Sequence, residues 1–140
     1  MDDIVSVRYM VNDVKASLDF YTQHLGFDVE SDFAPNFGSV QRGNLRLLLA
    51  GPGSSAGRPM ADGAVPGPGG WNRLHFVVPD IEAEVDRLKA DGCTFRNDIV
   101  KGAGGSQVLL LDPSGNVIEL FQQASGLSGL AQRVASAILR

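Results

Sequence analysis

One carboxylate stands out because it interrupts an apolar strand pattern. Glu119 is the only charged residue in the stretch 117–121, which forms the outgoing half of a predicted hairpin with its turn at Asp112-Pro113-Ser114-Gly115. In such a turn proline presets φ and glycine accepts the left-handed conformation that follows. Burying an unpaired carboxylate costs several kcal/mol. We therefore expect Glu119 either to be ion-paired or to take part in chemistry.

The hairpin closes the second of two similar modules. Asp13 and Asp80 are predicted helix N-caps, 67 residues apart (80 − 13), and each follows a predicted strand and precedes apolar residues at helical spacing. The Gly-Asn turns that contain Asn44 and Asn116 are 72 residues apart (116 − 44). Each module is predicted to be β-α-β-β-β, and neither can bury both faces of its sheet alone.

We therefore expect one 140-residue domain with module one at 4–50 and module two at 71–122. Between them, more than half of residues 51–70 are Gly or Pro, which favours neither helix nor strand and indicates a flexible linker or a lid. After the modules, apolar residues three and four apart predict a C-terminal amphipathic helix over 126–140.

Composition excludes several classes of function. The net charge of −4 and the absence of a basic run argue against a nucleic-acid partner. No apolar run is long enough to span a membrane. Cys93 is the single cysteine, and the N-terminus lacks the pattern of a signal peptide. The sequence therefore favours a cytoplasmic protein.

Two motifs carry a resemblance to a known family. Residues 11–21 read Val-Asn-Asp-Val-Lys-Ala-Ser-Leu-Asp-Phe-Tyr, and residues 112–120 read Asp-Pro-Ser-Gly-Asn-Val-Ile-Glu-Leu. With the tandem modules, they resemble the vicinal oxygen chelate superfamily, which includes glyoxalase I, bleomycin-resistance proteins and extradiol dioxygenases. The resemblance implies an α+β fold in which two βαβββ modules form a cleft, usually within a homodimer.

The resemblance also implies where a metal would bind. The family's metalloenzymes take ligands from the first and last strands of each module, and these positions correspond here to Ser6, Leu47, Arg73 and Glu119. Only Glu119 is a metal ligand, and one ligand does not hold a divalent ion. We expect no metal cofactor, with a divalent metal at an atypical site as the alternative.

Strand alternation predicts which side chains face the cleft. In the place of the metal we expect Arg73 and Glu119 to form a bidentate ion pair, which either anchors a ligand or is purely structural. Arg8 either adds positive charge suited to an anionic or carbonyl-bearing molecule or reaches solvent. The residues predicted to line the ligand site are Arg8, Met10, Trp71, Arg73, His75, Glu119 and Phe121.

Two of these residues have open roles. His75 is either a general base or a hydrogen-bonded wall residue, and the sequence identifies no partner that would orient it. With Glu119 it is the candidate for catalysis. Trp71 either stacks on an aromatic ligand or pins the linker by burying its ring.

The sequence thus predicts a metal-independent small-molecule-binding protein that resembles the antibiotic-resistance and sequestration members of the superfamily. The alternatives are a metal-dependent lyase or dioxygenase with an atypical site, a metal-free isomerase that uses His75 or Glu119, and a scaffold without a ligand.

Overall fold

The computed structural model describes residues 3–124. They form two compact units. The first unit takes in the described chain up to Gly70 together with the turn Asp112–Asn116, and the second takes in Trp71–Leu111 and the described chain from Val117. The α+β class and the tandem modules are thereby confirmed.

The first unit packs one helix on one face of a four-stranded sheet. Its elements are β1 (Val5–Met10), α1 (Val14–His24), β2 (Asp28–Phe33), β3 (Phe37–Arg42) and β4 (Leu45–Ala50). The sheet order is β1-β4-β3-β2, with β1 parallel to β4 and the other pairs antiparallel. The buried side chains between helix and sheet include Val14, Leu18, Tyr21, Val40, Leu47 and Leu49.

The second unit repeats this arrangement with one more strand. Its elements are β5 (Arg73–Val77), α2 (Ile81–Ala90), β6 (Thr94–Phe95), β7 (Val100–Gly102), β8 (Gly105–Leu111) and β9 (Val117–Gln123). The sheet order is β5-β9-β8-β6, β7 pairs with β8, and β5 runs parallel to β9. The core under α2 includes Ile81, Val85, Leu88, Val108, Leu110, Ile118 and Leu120.

The predicted helix starts are confirmed at both caps. The Asp13 carboxylate accepts a hydrogen bond from the N–H of Ala16, and the Asp80 carboxylate accepts one from the N–H of Ala83. These bonds satisfy donors that the first turn of a helix leaves without an intrahelical partner. At the other end of α1, Gly26 has a φ of 72°, the left-handed conformation expected after a helix.

Three regions differ from the expectation or extend beyond it. Strand β7 was not predicted, because its three residues are exposed and show no apolar alternation. The stretch 51–70 contains a short 3-10 helix, Ser55–Gly57, in which the Ser54 hydroxyl accepts from the N–H of Gly57. The predicted mobility of this stretch stays a prediction, and the predicted helix 126–140 lies outside the described residues.

The hairpin turn is fixed by a buried carboxylate. Asp112 is 5% exposed, and one of its oxygens accepts from the N–H groups of Ser114 and Asn116 at 2.8 and 2.9 Å. The other accepts from the hydroxyl of Tyr21 at 2.8 Å and from the amide of Asn116 at 3.0 Å. Four donors meet the acceptor capacity of a carboxylate, so its charge is stabilised without water. The sequence had predicted Asp112 only as a turn residue.

Tyr21→Phe removes one of these donors while keeping the aromatic ring. We expect the free energy of unfolding to fall by about 1–3 kcal/mol at neutral pH, because a buried carboxylate loses a hydrogen bond. Burial raises the pKa of Tyr21 above its usual 10.0, and the Asp112 charge adds to this effect. The contribution of the Tyr21 hydroxyl to the free energy of unfolding is therefore complete below pH 10.0. It declines above this pH, because Tyr21 ionises first in the unfolded chain.

Urea unfolding of the two proteins as a function of pH checks this prediction. The difference in stability between wild type and Tyr21→Phe should stay constant up to about pH 10 and shrink from there to about pH 11. A difference that stays constant across this range would contradict it.

Candidate functional site

The candidate site lies on the face of the second sheet that points away from α2. We call this the open face, and it carries the polar side chains of the site. The strand register pairs His75 with Glu119 and Glu119 with Leu109. On the far side of β8, the N–H of Arg96 bonds to the carbonyl of Leu109 at 2.8 Å. One row across the four strands therefore reads His75, Glu119, Leu109, Arg96. The alternate residues of the same strands, such as Ile118, face α2.

The predicted ion pair between Arg73 and Glu119 is present. Nε of Arg73 donates to Oε1 of Glu119 at 3.0 Å, and the two side chains are 29% and 4% exposed. The contact is a single hydrogen bond, so the bidentate geometry expected from the sequence was wrong. The carboxylate is buried and the guanidinium only partly, because the long arginine side chain extends towards solvent.

His75 lies on the other side of the same carboxylate. Its Nε2 is 3.5 Å from Oε2 of Glu119, which is long for a hydrogen bond but close for a charge contact. The centroid of the imidazole ring lies 5.2 Å from that of the Phe121 ring, and Phe121 is 2% exposed. The strand register thus places Glu119 next to His75, without a hydrogen bond between Nε2 and Oε2. The two oxygens of Glu119 face a guanidinium and an imidazole.

Trp71 is not buried. The residue is 65% exposed, so the alternative in which it pins the linker by burying itself was wrong. The guanidinium carbon of Arg96 lies 4.4 Å from the centroid of this ring, at cation–π distance. Sequence reasoning missed Arg96. The available signal was its position two residues after Thr94, because extended chain through the short strand and just past it places both side chains on one face.

The first unit holds the two remaining predicted residues. Arg8 is exposed, and the register pairs it with Leu48, on the sheet face opposite α1. Met10 is half-buried and lines a cavity of about 230 Å³ with Pro52 and Val65 among other residues. The predicted convergence of Arg8 with Arg73, His75 and Glu119 stays a prediction.

A second polar cluster on the first unit was not predicted. Nε of Arg46 lies 2.7 and 2.9 Å from the two carboxylate oxygens of Glu30, and the buried hydroxyl of Ser39 donates to the same carboxylate at 2.9 Å. The Arg46 hydrogen bond, and then that of Ser39, lower the pKa of Glu30. A register shift between Val29 and Ser31 accompanies this arrangement, and alternation along the sequence does not reveal it.

Fold and site together define an α+β protein of two tandem modules, each with a helix on one sheet face and polar side chains on the other. The chain belongs to the Glyoxalase/Bleomycin resistance protein/Dioxygenase superfamily, whose family model matches residues 3–120. A superfamily member from Sphaerobacter thermophilus DSM 20745 is similar in structure, with 26% identity, a TM-score of 0.68, and coverage of 88% of this chain and 98% of that one.

Two more distant structures show the same fold. The lactoylglutathione lyase from Agrobacterium tumefaciens has 20% identity and a TM-score of 0.68, with coverage of 87% of this chain and 94% of that one. An antibiotic binding protein from Streptomyces sp. CB03234 has 24% identity and a TM-score of 0.65, with coverage of 89% and 98%. No curated protein matches the chain. No helix among residues 3–124 is long and apolar enough to cross a membrane.

The residues at the family's metal positions do not fit a divalent cation. Leu47 is buried and pairs with Val7. In the second module Glu119 pairs with His75, and the equivalent pair in the first module is Leu48 with Arg8. The assignment of Leu47 was therefore wrong by one residue, and neither leucine has a donor atom. Arg73 is a cation already bonded to the one carboxylate. Within residues 3–124 no three His, Cys, Asp or Glu side chains cluster closely enough for a metal.

Arg73→Met leaves Glu119 buried without its hydrogen-bond donor. We expect the free energy of unfolding to fall by about 1–3 kcal/mol, a value reduced from that of a fully buried pair because 29% of the Arg73 side chain meets solvent. Glu119→Gln in the Arg73→Met background should recover part of the loss, since the uncompensated charge is then gone.

Urea unfolding of the four proteins of this double-mutant cycle measures the coupling. Lys15→Met is the matched control, because the Lys15–Asp19 pair is exposed and its loss should cost less than about 0.5 kcal/mol. If Arg73→Met costs no more than this control, the pair does not stabilise the buried carboxylate.

Proposed function

We propose that this protein binds a small anionic or carbonyl-bearing molecule without a metal ion, on the open face around Arg73, His75 and Glu119. The observation that carries the proposal is the 3.0 Å hydrogen bond from Arg73 to Glu119. A permanent cation stands where the family's metalloenzymes have a metal ligand, and it already neutralises the carboxylate that a metal would need.

The geometry of Arg73 supports a role in binding. A guanidinium has five N–H donors in a planar fork, and among the described residues Arg73 uses one of them, at Nε. The four N–H groups at the tip of its partly exposed side chain are suited to a carboxylate, phosphate or carbonyl oxygen. Glu119 holds the stem of this side chain in place, so the donors are oriented before the ligand arrives.

The fold supports binding and catalysis equally, because structures similar to this chain include both a lyase and an antibiotic binding protein. The residues at the site support the binding role. With Ser6, Leu48 and Arg73 at the family's ligand positions, the donor set favours the sequestration members of the superfamily, which hold a molecule without converting it.

A metal-free isomerase is the second candidate, favoured by the 3.5 Å contact between Oε2 of Glu119 and Nε2 of His75. Such a pair can take a proton from a carbon next to a carbonyl and return it to a neighbouring atom. In this case Glu119→Gln and His75→Ala abolish turnover and leave the fold intact. In the binding protein they change the affinity, and no turnover exists to be lost.

The first test is the metal content of the purified, untagged protein, followed by titration with zinc, nickel, manganese and iron(II). We expect no near-stoichiometric ion and no rise in melting temperature with any of the four, because Glu119 alone does not supply the ligands that such ions require. A near-stoichiometric ion whose binding is lost in Glu119→Gln overturns the proposal and favours a metal-dependent enzyme.

We further propose that the protein works as a homodimer in the cytoplasm. The single cysteine suits a reducing compartment. Val5 and Val77, on terminal strands of the two sheets, are 59% and 51% exposed. Sedimentation equilibrium should give the mass of two chains at micromolar concentration. A mass of one chain at every concentration excludes the dimer.

A further inference from the structure

Arg96 carries the unbalanced charge of the open face. Arg73 is paired with Glu119 there, whereas among the described residues Arg96 contacts no carboxylate within ion-pair distance. The nearby Lys101 belongs to the other side of the sheet, where it lies 3.7 Å from Glu82 of α2. The fixed charges of Arg73, Glu119 and Arg96 leave the open face with one net positive charge, so it attracts an anion.

The contact between Arg96 and Trp71 passes over this face. Trp71 lies just before β5 and Arg96 just after β6, and these strands form the two ends of the order β5-β9-β8-β6. Neighbouring strands are about 4.8 Å apart, so β5 and β6 are separated by about 14 Å across the sheet. A 4.4 Å approach of their side chains therefore spans the two central strands, β9 and β8.

We propose that Trp71 and Arg96 form a subsite for the planar, anionic ring system of a ligand. The ring lies against the indole of Trp71, and the anionic group binds the guanidinium of Arg96. This inference rests on the proposed function, since it specifies which small molecule the open face selects. Arg96 is the specificity-determining residue, because it binds the anionic group of the ligand next to the indole on which the ring of the same ligand lies.

Three observations support this assignment. Trp71 is 65% exposed although it lies beside Arg96, so a ligand ring can reach it. An arginine over an aromatic ring offers N–H donors at its edge to an anion while its plane stays against the ring. Half-buried Leu109 and Leu111 on the same face give the ring an apolar floor.

Three small probes separate the two requirements. 2-Naphthoate is planar and anionic, 2-naphthamide has the same ring without the charge, and cyclohexanecarboxylate has the charge without a flat ring. Titration calorimetry gives each affinity, and the indole N–H resonance of Trp71, the one tryptophan of the chain, reports on its ring directly. We expect 2-naphthoate to bind at least about ten-fold more tightly than either of the others.

The variants assign this preference to residues. Arg96→Gln should remove the preference for 2-naphthoate over 2-naphthamide, and Trp71→Leu the preference over cyclohexanecarboxylate. Both side chains are exposed, so both variants should keep the wild-type melting temperature. Lys101→Gln is the matched control: it removes the same charge from the opposite side of the sheet and should leave all three affinities unchanged.

The outcomes distinguish this inference from the function on which it rests. If the anionic probes bind, depend on Arg73, and are indifferent to Arg96→Gln and Trp71→Leu, the subsite is wrong and the binding function stands. If a correctly folded Arg73→Met variant binds them as well as wild type does, the proposed function fails. If 2-naphthoate does not bind or does not move the Trp71 resonance, the subsite is overturned.

Discussion

The second unit depends on how it neutralises one buried carboxylate. Glu119 lies at the centre of a four-strand row with apolar neighbours on its own strand, where an uncompensated charge would cost several kcal/mol. Arg73 supplies the compensating charge through a single hydrogen bond. The same contact orients the guanidinium, and among residues 3–124 the other N–H groups of Arg73 have no hydrogen-bond acceptor. One interaction thus compensates the buried charge and fixes the position of the arginine.

Asp112 and Glu119, the buried carboxylates among residues 3–124, differ in how fully their oxygens are hydrogen-bonded. Asp112 accepts four hydrogen bonds, from Tyr21, Ser114 and Asn116, and has no capacity left for a ligand. Glu119 accepts one hydrogen bond among the described residues, and its second oxygen has only the 3.5 Å contact to His75. A carboxylate with this reserve can respond to a ligand, a proton or a neighbouring group.

Membership of the Glyoxalase/Bleomycin resistance protein/Dioxygenase superfamily defines the scaffold and leaves the chemistry to a few side chains. In this chain Arg73 and Leu48 lie on the sheet faces opposite the helices, and neither side chain is a ligand for a divalent metal ion. Arg73 is a fixed hydrogen-bond donor. Such a donor can hold an anion and does not polarise it as strongly as a metal ion.

Much of this architecture is determined by local sequence. Asp13 and Asp80 start the helices because a short carboxylate bonds to the N–H groups of a first turn, and Gly26 ends α1 because glycine accepts positive φ. Strand alternation assigned Arg73 and Glu119 to one face, because successive side chains of a strand point to opposite sides. Their ion pair followed from that assignment.

Other features were decided by tertiary structure alone. Three of them depend on which residues pair across strands. They are the orientation of Leu48, not Leu47, away from the helix, the position of Glu30 beside a register shift, and the contact of Arg96 with Trp71. Register is a property of two strands, and a shift of one residue turns every side chain to the other face. The sequence by itself therefore determined the elements and the charge at the site, and the pairing of the strands determined which side chains meet there.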